Sequence, residues 1–157
     1  MIETDAGTWY SASDLLGWLG CHHRTTLDAL ALTDRARPAH DAGGFDTPAK
    51  ARGDEHERAM LQRLVDEGRS ITRIDRPHMT RAGLRAAADE TLAAMRAGAD
   101  VIFQAALLDP PWFGFADFLV RVDGVPSGLG GYAYEVRDTK LARHPAGVQL
   151  GLEADHL

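Results

Sequence analysis

Three strand-like runs follow one another between residues 100 and 140, and they constrain this chain more than any other feature. Residues 100–108, 112–122 and 132–140 are rich in Val, Ile, Leu, Phe and Tyr and are bounded by turn signals. Asp109-Pro110-Pro111 reads as the turn joining the first two; Asp123-Gly124 with residues 126–131 reads as a longer loop before the third. Alternation along the third run puts Asp138 and Lys140 on one face beside Val136, and Glu135 on the other. A carboxylate and an ammonium two residues apart suit one job in particular. The carboxylate holds a hard divalent cation, and the lysine stands near the water which that cation polarises. Asp117, in Gly114-Phe115-Ala116-Asp117-Phe118, becomes the second carboxylate if its strand is the neighbour.

The rest of the chain reads as a scaffold. Residues 1–10 look like a polar lead-in. Ser11, followed by Asp14, resembles a capping box opening a helix through Leu15, Leu16, Trp18 and Leu19, which Gly20 ends. A second short helix begins at Cys21-His22-His23, with Leu27 and Leu30 inward. Residues 33–48 carry Pro38, Gly43, Gly44 and Pro48 and read as a loop. Residues 49–67 have helical periodicity. Met60, Leu61, Leu64 and Val65 form its apolar stripe, and counting back by four aims His56 and Glu57 along it. His56 is therefore expected to face whatever this helix packs on, while Glu57 reads better as a surface charge. Residues 70–74 suit a short strand. Thr80 caps a helix with Leu84, Ala88, Thr91, Leu92 and Met95 inward, closed by Gly98, and residues 146–157 read as a last helix carrying Gln149. The expected fold is an α/β sandwich around a small mixed sheet, with an N-terminal helical extension over residues 1–48.

Composition narrows the function classes. At 157 residues the chain reads as one domain. No apolar run approaches the roughly 20 residues a membrane helix needs, so the expectation is a cytoplasmic protein with no membrane partner. Cys21 is the one cysteine, which excludes an internal disulfide and a four-cysteine iron–sulfur cluster built by this chain alone. Cys21, His22, His23 and His40 match no structural zinc spacing. The net charge of −6 argues against nonspecific coating of nucleic acid, but not against a metal-dependent enzyme acting on phosphates.

Taken together, Gly53-Asp54-Glu55-His56 on a helix, Gly114-Phe115-Ala116-Asp117 on one strand and Asp138-Thr139-Lys140 on the next resemble the RecB-like branch of the PD-(D/E)XK nucleases. Ser11-Ala12-Ser13-Asp14-Leu15 and the run from Tyr134 to Arg143 add to the likeness, which covers essentially the whole chain. The resemblance implies a restriction-endonuclease-like core binding Mg²⁺ or Mn²⁺ through His56, Asp117, Asp138 and the Thr139 backbone carbonyl. Asp117, Asp138 and Lys140 are the implied catalytic set, with Lys140 activating water and steadying phosphate charge. Gln149 and Arg143 are the implied nucleic-acid contacts. The implied activity is hydrolysis of DNA phosphodiesters, on single strands or ends, with a helicase-like partner or a C-terminal continuation.

Two departures keep an alternative open. Glu153 stands where such nucleases carry a tyrosine, and the chain stops at Leu157 where relatives of this kind continue. The alternative is a catalytically impaired, truncated remnant that binds nucleic acid or a protein. Residue by residue, plainer readings also exist. Asp138 and Lys140 can be charges protecting a strand edge, His56 a satisfied core histidine, and Gln149 an ordinary helix residue.

Overall fold

The computed structural model describes residues 1–33 and 48–138. Among these described residues, six strands form one mixed sheet, with four helices around it. In chain order these are β1 (Ile2–Thr4), β2 (Gly7–Ser11), α1 (Ala12–Gly20), α2 (His22–Thr33), α3 (Pro48–Asp66), β3 (Ile71–Arg73), α4 (Arg81–Arg96), β4 (Val101–Asp109), β5 (Trp112–Ser127) and β6 (Gly130–Arg137). The coarse α/β expectation therefore holds. The closing helix expected over 146–157, with Thr139, Lys140, Arg143, Gln149 and Glu153, lies outside the described residues, as does most of the 33–48 loop.

β5 organises the sheet. The spatial order is β1-β2-β5-β4-β3, and β6 also pairs with β5. β4 and β5 run antiparallel from Val101↔Val120 to Asp109↔Trp112, and β5 and β6 run antiparallel from Phe118↔Arg137 to Ser127↔Gly130. The polar lead-in expected at the start of the chain is in fact the β1–β2 hairpin. Gly7, at φ 103, supplies the turn that only glycine adopts without strain, and β2 then pairs parallel with β5 through Tyr10↔Trp112 and Ser11↔Phe113. Trp9 is buried with Phe113 and Leu84, so one large side chain anchors this hairpin that polar neighbours disguise in sequence. The loop expected after Val122 is likewise strand. β5 runs on to Ser127, with a register irregularity between Asp123 and Ser127.

Alternation along the central strands builds two cores. Ile102 and Leu119 pack with Ala87 and Met95 of α4; Val101, Phe103, Phe118 and Val120 pack with Leu64 of α3. Neighbouring residues point oppositely, so α3 and α4 cover opposite faces. On α4 the buried stripe is Leu84, Ala87, Thr91 and Met95, a 3-4-4 spacing, and Leu92 is turned outward. Thr80 caps this helix as expected, accepting from the Gly83 N–H at 3.1 Å. Leu27 and Leu30 of α2 are exposed, contrary to the inward reading.

Candidate functional site

The stripe of α3 that meets the sheet runs Gly53, Glu57, Met60, Leu61, Leu64, all half-buried or buried. His56 precedes Glu57 by one residue, about 100° around the helix, and is exposed. This corrects the expectation that His56 faces whatever the helix packs on. The inward polar group is Glu57, whose Oε1 accepts a hydrogen bond from Gln104 Nε2 at 2.5 Å.

Gln104 lies in β4 between the pairs Phe103↔Phe118 and Ala105↔Ala116, so the register sets it across from Asp117. On the other side of β5, extending Phe118↔Arg137 by one residue sets Asp138 across from Asp117. The same answer comes from parity. Leu119 and Val136 are a cross-strand pair, and Asp117 and Asp138 lie two residues from each of them, on their face. Gln104, Asp117 and Asp138 thus stand in one row of register positions across three adjacent strands, with the two acids on the face of Leu119, which α4 covers, and the Gln104 amide turned to Glu57 of α3 on the other. Phe103, Ala105, Ala116 and Phe118, which bracket the row, are all buried. Extended by one residue, the β5–β6 register sets these two carboxylates at facing positions, with Asp138 just past the end of β6. Asp117 and Asp138 are half-buried.

Two further features mark this row. Gln104 has φ 59, the left-handed region, which costs a non-glycine residue about 1 kcal/mol or more and is concentrated at functional sites. Sequence reading missed Gln104, because an amide inside an apolar run carries no periodic signal. The row also lies where the sheet forks. Among the described residues, β2 pairs with β5 at Trp112 and Phe113, and β6 pairs with the same edge of β5 from Phe118 onward, so residues 114–117 fall between these two partners. Crevices where neighbouring strands part are preferred ligand sites in α/β sheets.

A second concave feature lies by α1. Tyr10, Trp18, Pro111 and Trp112 wall an almost wholly apolar cleft of about 320 Å³, with Asp14 and Thr25 at its margin. Asp14 accepts hydrogen bonds from the Ser11 N–H and hydroxyl at 2.7 Å each and pairs with the N-terminal ammonium. Burial works to raise its pKa, but those hydrogen bonds and the ammonium outweigh burial, and the carboxyl sits below its ordinary value.

Among the described residues, no group of three His, Cys, Asp or Glu side chains is arranged to hold a metal, and no helix is long and apolar enough to cross a membrane. The donors that fit a hard cation are the two carboxylates of the row. No protein family, curated protein or solved structure matches the chain.

Proposed function

We propose that the chain is a metal-dependent nuclease that hydrolyses DNA phosphodiester bonds on single strands or ends. What supports this reading is the antiparallel β5–β6 register which, extended one residue past β6, sets Asp138 across from Asp117, at the fork of the sheet. Two carboxylates so placed suit Mg²⁺ or Mn²⁺, which bind oxygen donors and leave coordination positions to water and phosphate. The Thr139 carbonyl, next in the chain, is proposed as a further oxygen donor. The bound ion supplies Lewis-acid polarisation of the phosphate and of the attacking water. The chain does the remaining work. Asp117 and Asp138 fix the ion relative to the sheet, and Lys140 orients the water and neutralises charge growing on the phosphate oxygens. His56, implied as a further metal ligand, is exposed on α3 and is left out of the proposed set. Gln149 and Arg143 are proposed strand contacts.

The test separates metal capture from chemistry. Mn²⁺ titration by calorimetry is run beside cleavage of a labelled single strand. Asp138→Ala is expected to lose both, and Glu135→Ala to retain both, because Glu135 is exposed and lies on the other face. Lys140→Ala is expected to keep Mn²⁺ affinity and lose about 100-fold or more in cleavage rate. Full cleavage by Lys140→Ala would sink the mechanism, and metal binding without cleavage by the wild type would sink the hydrolytic reading.

A further inference from the structure

The apolar cleft beside α1 has no part in the chemistry proposed above. Trp112 and Asp117 are five residues apart on β5, about 16 Å, and the odd spacing opens cleft and acid row on opposite faces. The cleft is walled by aromatic rings. Tyr10 and Trp112 meet at 5.7 Å between ring centroids, inclined at 46°. Trp18, 45% exposed, stacks one face on His22 at 4.1 Å and 17°. An exposed indole backed by a second ring is a platform for a third planar ring. Aliphatic ligands gain no such geometric advantage.

The surroundings of the cleft narrow the ligand. Trp18 leads through Cys21 into the first turn of α2, where His22, His23 and Arg24 follow one another. The leading N–H groups of a twelve-residue helix have no intrahelical acceptors, so this end favours an anion. Arg24 is 72% exposed and meets Asp28 only at 3.8 Å, which leaves its guanidinium able to turn towards a phosphate. Thr25, in the same turn of α2, lines the cleft, so the helix start and the aromatic platform border one another. A planar heterocycle and an anion held side by side are the two halves of a nucleotide.

We infer that this cleft seats one unpaired nucleotide of a single strand, its base on Trp18 and Trp112 and its phosphate at the start of α2. The inference rests on the nucleic-acid reading above for its choice of polymer, and it makes the cleft an anchor distant from the reacting centre. Binding here requires no metal, so it is measured in EDTA. The probe is a thymidine homo-oligomer titrated against the fluorescence of Trp18 and Trp112, with Trp9 buried as a constant background.

The expected result is saturable quenching that Trp18→Ala weakens roughly 5- to 150-fold, the range for loss of one base–aromatic stack. Trp18→Phe should restore most of it, which a merely structural role for the indole would not predict. Arg24→Gln should lower the salt dependence of binding by about one released counterion. Equal affinity for a blunt duplex, or for thymidine monophosphate alone, would overturn the single-strand assignment, and unchanged binding by Trp18→Ala would overturn the site. A chain that binds the oligomer in EDTA and never cleaves it with Mn²⁺ refutes the hydrolytic reading while supporting this one.

Discussion

Gln104 shows how much one residue's backbone can say. Its φ of 59 is unfavourable for any side chain beyond glycine, yet it stands in the central ladder with its amide committed to Glu57. Gln104→Ala and Gln104→Gly both delete that amide, so the difference between them isolates the backbone. The glycine variant should be the more stable by about 1 kcal/mol in urea denaturation. Equal stability would mean that the strand relaxes once Glu57 is released. Tyr134 makes a second residue-level case. Its hydroxyl donates to the Ala99 carbonyl at 2.7 Å, and burial pushes its pKa up to about 12 from 10. A raised folded-state pKa contributes stability that is complete below pH 10 and is lost as pH rises towards about 12. Tyr134→Phe should flatten that alkaline decline, measured as melting temperature against pH.

At the scale of elements, α4 illustrates a helix held at both ends and in the middle. Thr80 caps its start; at its end the Tyr132 hydroxyl donates to Met95 at 2.9 Å and Arg121 donates to the Gly98 carbonyl at 3.0 Å. Midway, the buried Thr91 hydroxyl donates to Ala87 and accepts from the Ala106 N–H, both at 3.0 Å. Thr91 thus satisfies the β4 edge beyond the reach of β3. Thr91→Val keeps the shape and strands a buried N–H, so it should cost about 1–3 kcal/mol, whereas Thr91→Ser should cost less. A neutral Thr91→Val in urea denaturation would show that water takes the vacated place. Elements of this kind were legible because their signals are redundant. α4 has a cap, a stripe and a terminal glycine, and β4 to β6 have long apolar runs with Asp109-Pro110-Pro111 between the first two. What escaped lacked redundancy. β1 and β2 are short and polar around a single Trp9, and the far half of β5 hides behind Asp123-Gly124. His56 and Glu57 differ by one residue on a helix, and an apolar stripe read from Met60 to Val65 could not decide between them. Asp117 and Asp138 were paired on the expectation that their strands are neighbours, and β5 and β6 are indeed paired.

Across the whole molecule, attachment to the sheet is uneven. The β4–β5 ladder runs through eight paired residues, but β2 meets β5 through only two. The unit formed by β1, β2, α1 and α2 should therefore open at lower free energy than the central ladder. Native-state hydrogen exchange is expected to show Tyr10 and the α1 amides exchanging well before those of residues 102–107 and 115–120. Exchange at one common rate would indicate a single cooperative unit. The shortness of that contact has a cause, and the cause has an effect. β2 stops at Ser11 because the chain turns there into α1, with Asp14 gripping the Ser11 backbone N–H. Were the strand to run on, it would advance along β5 from Phe113 towards Asp117, in competition with β6 for the same edge. A helix cap far from the acids in sequence thus acts as a doorstop, and a chain that lost it could zip the fork shut without altering a single acidic residue.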